Sequence, residues 1–444
     1  MKRIVSALCV LTAVSVFLFA GGSQESSAKG AGSDLPYEGV SLTMAVCAEQ
    51  YADYLKELGK SFSDETGADV MVDVIGYVEL YQKITQDYAS NTKLYDLATV
   101  DIMWTGEFED KGFTMDLTDL MERDADEVNL DDIIPVMWAM GSWNGKQVAF
   151  PMAGYANSLI YRKDLFTDPD EMKAFKARYG YDLGVPETLE ALEDIAEFFT
   201  RPEENLYGLV ANGARGSAVA QDWMEYMRAY GASLFDDQGN VTVNSPEAKA
   251  SLEFFVRIFD NYAPPGAIGY WWDDRETAYR TGQAVMQSSW SIARAGYENP
   301  EISMVGGKTG MTATPLADGV DSLYGVGGWG VGINDDISDA EKEAAWAFVK
   351  YICGEEMQKE WMLNDGAPIR YSTLNDSEIL KEKPWMPVML NVFENGDGDY
   401  RPRGPNANEI QNALGLRVNQ AITHELTVDE ALAKMEEDLI AIGE

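Results

Sequence analysis

The chain has 444 residues, 46% hydrophobic and 24% charged, the composition of an ordinary soluble globular protein with room for two or three domains. Lys and Arg number 34 against 74 Asp and Glu; the resulting formal charge of −40 repels a phosphate backbone and makes nucleic acid a poor partner. His424 is the single histidine, which excludes His-rich zinc sites and any Ser-His-Asp machinery not built on that residue.

Lys2 and Arg3 precede an apolar run over 4–19 that ends in Ala20-Gly21-Gly22. This pattern predicts a secretory signal over 1–22 with cleavage before Ser23, too short and too early to serve as a spanning helix. Residues 23–36 are a small, polar, flexible linker. Cys9 falls in the leader; Cys47 and Cys353 stand far apart, and spacing alone does not pair them.

A strand over 40–46 is followed by Glu49, Gln50 and Tyr51, then by a helix over 53–66 with Leu55, Leu58 and Phe62 on one face. A strand over 68–75, a helix over 79–90 and a strand over 96–103 follow, the last running into Trp104-Thr105-Gly106-Glu107. Such alternation predicts an α/β protein with a parallel sheet flanked by helices. Segments over 117–121, 133–140 and a small strand over 148–150 complete this part. Residues 151–156 are small and turn-like between two apolar strands, the second over 158–161. Helical patterns cover 169–179 and 185–200, and Ser245 with Pro246 opens a helix over 245–260. The turn over 235–240 has the look of a calcium loop but lacks its downstream glutamate.

A short helix from Asp273 to Gly282, with Asp273 and Asp274 as its caps, leads into a strand over 284–288. Trp290 follows at the carboxyl end of that strand, where ligands sit in open α/β sheets. Strand patterns over 304–314 and 325–334 precede a helix over 339–353, for which Ser338 and Glu341 form a capping box. Residues 384–405 are an irregular loop containing Arg401-Pro402-Arg403, and a final helix covers 427–442. Gly325–Gly330 matches G-x-G-x-x-G by letter, but the chain continues as strand where a dinucleotide site needs a helix start; Gly307-Lys308-Thr309 lacks the first P-loop glycine.

The run YRTGQAVMQSSWSIARAG over 279–296 is accompanied, in order along the chain, by FPMAGYANSLIYRKDLF, VPETLEALEDIA, GGWGVGIN, AAWAFVKYI and GAPIRYS. Together these pieces resemble the extracellular solute-binding proteins of ABC importers, in the carbohydrate-binding branch that includes the maltose binders. The resemblance implies a two-lobed periplasmic-binding-protein fold of type II, each lobe a sheet flanked by helices, with the ligand cleft between lobes. It places 37–152 and 303–338 in the first lobe and 153–302 and 339–444 in the second, with crossings that act as a hinge. It further implies an exported, periplasmic or extracytoplasmic monomer that meets permease subunits of an ABC importer transiently, with no cofactor, no metal and no catalytic residues. Family members often carry a lipidated cysteine at the leader boundary; this chain has none there, so a soluble, unlipidated product is expected.

Sugar rings present C–H faces that stack on aromatic rings, and rims that need many hydrogen bonds. The 11 Trp residues include several beside Gly, Asp or Ser instead of in apolar runs. Candidate stacking groups are Trp104, Tyr155, Trp223, Trp271, Trp272, Trp290 and Trp329; Glu49, Gln50, Asp101 and Glu107 are candidate acceptors, Arg370 a candidate donor, and Tyr51 joins them by resemblance. Tyr155 stands where the maltose binders have a glutamate, which leaves the particular sugar open. Two other readings stay open: a binder of polyamines or similar cations held by carboxylates and Trp faces, and an exported glycoside-cleaving enzyme with paired carboxylates.

Overall fold

The computed structural model describes residues 35–321 and 324–443. The signal over 1–22 and residues 23–34 of the linker lie outside the described residues. Strand β1 (Ser41–Cys47) buries almost every side chain from Leu42 on. Helix α1 (Ala52–Thr66) covers it with Leu55, Leu58 and Phe62, the face predicted from their spacing, and stops at Gly67, whose φ of 80 suits the left-handed cap that closes a helix. Strand β2 (Asp69–Ile75), helix α2 (Tyr77–Ser90) and strand β3 (Leu97–Asp101) repeat the unit, and β2 and β3 both run parallel to β1. β1, β2 and β3 thus end on the same edge, where the chain delivers Glu49, Tyr77 and Asp101.

The stretch expected as two strands with a turn between is one 13-residue strand, β4 (Phe150–Arg162). Pro151 is tolerated because the ladder shifts register beside it: consecutive Trp329 and Gly330 face Ala153 and Pro151, so Met152 is an extra residue in β4 and a ladder N–H is dispensable there. Gly154 is required for room, since a Cβ there would stand 2.6 Å from Met137 Sδ and 2.8 Å from the Pro368 carbonyl. After β5 (Tyr207–Val210) come helices α3 (Ser217–Ala229) and α4 (Pro246–Arg257), the latter capped by Ser245 Oγ accepting from the Ala248 N–H at 3.2 Å. The chain continues through α5 (Trp272–Arg280), β6 (Ala284–Trp290), α6 (Arg294–Glu298), β7 (Thr309–Thr312), β8 (Tyr324–Ile333), α7 (Asp339–Cys353), α8 (Ala407–Ile422) and α9 (Val428–Gly443).

β4 joins two half-sheets. Its first half pairs with β8, which continues through β3 and β1 to β2. Its second half pairs antiparallel with β6 on one side and β7 on the other, and β5 lies parallel to β6. The mixed α/β class with helix-flanked half-sheets is therefore as expected. The segment bounds differ in two places. β7 pairs with Leu159–Arg162 of β4, so residues 303–338 divide between the halves instead of returning together to the first. The 339–444 segment divides likewise. Helix α7 buries Trp346 and Phe348 against Phe150 and Phe62 of the first half, while α8 and α9 pack on α3 and α4 of the second. The Ser338 capping box is formed, with Glu341 accepting from the Ser338 N–H at 2.8 Å. Cys47 and Cys353 are both free and buried. Among the described residues no helix is long and apolar enough to cross a membrane.

Candidate functional site

A cavity of about 670 Å³ opens between the carboxyl edge of β1, β2 and β3 and the second half-sheet at the end of β6. Of the predicted residues it gathers Glu49, Gln50, Asp101, Tyr155, Trp271, Trp272, Trp290 and Trp329 in its wall. Register explains the convergence: Trp329 lies opposite Asp101 on the β3–β8 ladder, and Trp290 is the last residue of β6, opposite Asn157. Gly327 is needed here for close approach, because a Cβ on it would stand 3.0 Å from the Trp290 ring and 3.1 Å from Arg401 Nη2.

The remaining predicted residues lie behind the wall or away from it. Tyr51 is fully buried, its hydroxyl 3.2 Å from that of Tyr155 and its ring edge-on to Trp361, so it positions Tyr155. Trp104 is buried under Tyr77 and Trp329 and forms the apolar backing of that corner. Glu107 accepts from the Tyr81 hydroxyl at 2.7 Å and pairs with Lys111, which occupies it structurally. Trp223 is core between α3 and α4, its indole N–H given to Ser251 Oγ at 3.2 Å. Arg370 staples backbone carbonyls, donating to Cys353 at 2.8 Å and Val128 at 3.0 Å, and does not face the cavity.

Several wall residues were not foreseen. Tyr77 follows Gly76 at the end of β2, the same end-of-strand position that singled out Glu49 and Asp101, and the rule extends to it. Asp273 lines the cavity, whereas Asp274 does the capping, accepting from the Trp271 N–H at 3.0 Å. Arg275, Glu276 and Arg401 carry no local signal; remote elements bring them in.

Three buried ion pairs, made by two arginines, furnish the polar chemistry. Arg401 Nη2 lies 3.4 Å from Asp101, which also accepts from the Tyr77 hydroxyl at 3.1 Å. The same guanidinium sits 5.3 Å over the Trp290 ring, a cation–π arrangement that covers one face of the indole. On the other side Arg275 pairs with Asp222 and Glu276, each at 2.8 Å, and Ser289 Oγ donates to Glu276 at 2.8 Å. Three buried donors on wall residues, the indole N–H of Trp272 and the Nε–H groups of Arg275 and Arg401, have no partner among the described residues. Glu49 is open to the cavity yet hemmed in by protein. Loss of solvent, then the charges of Asp101 and Asp273, push its carboxyl up to about 7, against a hydrogen bond from Trp329 that works the other way. Burial likewise holds the Tyr155 and Tyr77 hydroxyls protonated. The wall therefore sets the guanidinium groups of Arg275 and Arg401 beside carboxylates that accept, alongside the rings of Trp271, Trp272, Trp290 and Trp329. Among the described residues no group of three or more His, Cys, Asp or Glu side chains is arranged to hold a metal ion.

The family model of bacterial extracellular solute-binding proteins matches residues 48–359. A solute-binding protein of an ABC transporter from Agrobacterium radiobacter, solved in complex with ribitol, is similar at 42% identity with a TM-score of 0.83, covering 90% of this chain and 98% of that one. A mannitol-binding protein of Pseudomonas aeruginosa is 26% identical over 88% of this chain and 90% of its own length. A probable amino-acid ABC transporter periplasmic-binding protein of Sinorhizobium fredii is 24% identical over 92% of this chain and 91% of its own.

Proposed function

The chain belongs to the family of bacterial extracellular solute-binding proteins, and we propose that it captures an acyclic polyol or small neutral sugar in this cavity for the permeases of an ABC importer. The observation that carries the reading is the mixed wall, in which the carboxylates of Glu49, Asp101 and Asp273 and the guanidinium groups of Arg275 and Arg401 stand beside the rings of Trp271, Trp272, Trp290 and Trp329. A hydroxyl both accepts and donates, so a chain of hydroxyls satisfies both kinds of group at once. A protonated polyamine only donates, and the guanidinium groups of Arg275 and Arg401 in the same wall oppose its charge. The ribitol and mannitol of the similar proteins fit this chemistry. The protein is exported without a lipid anchor, acts as a monomer and makes or breaks no bond in the ligand; the half-sheets serve as its lobes.

Thermal denaturation against ribitol, mannitol, maltose, neutral amino acids and spermidine tests this. A polyol or neutral sugar at 100 times its Kd is expected to add about 2.7 kcal/mol of stability and to be recovered unchanged. Stabilisation by spermidine or an amino acid alone, or recovery of altered ligand, overturns the reading.

A further inference from the structure

Across the mouth of the cavity one aromatic pair ties the two half-sheets together. Tyr77 begins α2 on the first half, and Trp272 begins α5 on the second. Their rings meet edge to face with centroids 5.9 Å apart at 80°. Neither ring is free to swing. Tyr77 donates its hydroxyl to Asp101 at 3.1 Å and leans on Trp104 and Trp329. Trp272 is braced edge-on by Trp271 at 4.7 Å, and Trp271 rests in turn against Gly216.

The pair stands between depths. On one side of it the wall residues Asp101, Arg275, Trp329 and Arg401 are buried; on the other, Glu79 and Gln82 of the same helix as Tyr77 line the outer, exposed part of the cavity. Beside it Gln50 Nε2 of the first half lies 3.7 Å from where a Cβ on Gly296 of the second would stand, so the halves approach closely there too. A ligand wholly inward of Tyr77 and Trp272 leaves the two rings together. One that projects outward must part them, exposing their apolar edges and drawing Tyr77 off Asp101.

From this geometry, and resting on the reading of the cavity as a polyol or sugar site, we infer that Tyr77 and Trp272 form a length filter that admits a single short polyol or monosaccharide and rejects ligands with a second sugar unit. The rings meet only when nothing crosses the mouth, so selection arises because a longer ligand must hold them apart while a short one lets them close.

Calorimetric titration of the full exported chain with mannitol and with maltitol, which adds a glucosyl unit to a hexitol, tests the filter. The wild type is expected to bind mannitol and to bind maltitol at least about a hundredfold more weakly. Trp272→Ala, and independently Tyr77→Ala from the opposite lip, should each gain about tenfold or more on maltitol while losing less than that on mannitol. Tyr77→Phe keeps the ring and should weaken mannitol through Asp101 without any gain for maltitol. Equal binding of both ligands by the wild type overturns the filter, as does absence of a maltitol gain in both alanine variants that still bind mannitol. A wild type that binds neither ligand, nor ribitol nor any monosaccharide, overturns the polyol reading itself and the filter with it.

Discussion

With Arg401 lying over one face of Trp290 and against Asp101, the indole has that face closed to ligand. The stacking expected from the sequence is therefore at most one-sided, and the guanidinium is a wall group whose part in recognition can be tested separately. It is buried, and its Nε–H is unpartnered among the described residues. Arg401→Met keeps an apolar stem over the ring, removes the donors, and leaves Asp101 to Tyr77. The expected loss is about 2–4 kcal/mol of ligand affinity, the range for truncating an arginine anchor in a desolvated pocket. Isothermal titration of the variant beside Trp290→Ala weighs hydrogen bonding against stacking. An Arg401→Met protein that binds as the wild type does would return recognition to the ring alone.

At the scale of elements, helix α3 shows how the fold supports the wall. Asp222, Glu225 and Arg228 recur every three residues along one side of it. Asp222 pairs with Arg275 at the cavity, Arg228 pairs with Asp397, and Glu225 lies buried between them. Loss of solvent pushes the Glu225 carboxyl up to about 7, eased by the nearby polar groups of Thr314 and Gly325 and raised further by Asp222. The folded chain thus keeps a proton that the unfolded chain releases near the ordinary 4.5. Stability from this group is full below that ordinary value, declines as pH rises through the folded value, and is level above it. The decline amounts to about 3 kcal/mol at 1.36 kcal/mol per pKa unit; Glu49, half open to the cavity, adds less. Urea denaturation at about pH 5 and pH 8 should show Glu225→Gln losing less stability across that interval than the wild type; parallel losses would remove Glu225 from the account. Much of this architecture is legible in the chain: the periodicity of α1, the capping box of α7 and the strand-end positions of Glu49, Asp101 and Trp290 all follow from local rules. What escapes local rules is set by distant partners. Pro151 reads as a break until the bulge at the adjacent Met152 is known, and Arg370 reads as a ligand donor until the carbonyls of Val128 and Cys353 are seen around it. Arg401 sits in an irregular loop, and only the packing of the C-terminal part brings it over Trp290.

Taken whole, the molecule sets two acidic halves face to face across a cavity, with a net charge of −40 on the chain. Bringing the halves together, as Tyr77 and Trp272 do at the mouth, gathers like charge and costs Coulomb energy that salt reduces. A ligand that binds the closed arrangement better shifts the population toward it and must offset that repulsion from its own interactions. A neutral polyol carries no charge of its own to be screened, so salt acts on it only through closure. Its affinity is expected to hold or rise modestly between about 20 mM and 500 mM NaCl, as the Debye length falls several-fold. A cation held by Glu49, Asp101 and Asp273 would behave in the opposite way, since screening weakens the attraction that binds it. X-ray scattering supplies the structural half of the measurement: added polyol should lower the radius of gyration at low salt, and high salt alone should move the unliganded protein part of the way. Affinity that collapses as salt rises would show that carboxylates hold the ligand and would sink the polyol reading. A radius indifferent to both ligand and salt would instead leave the polyol in place and remove closure from the mechanism.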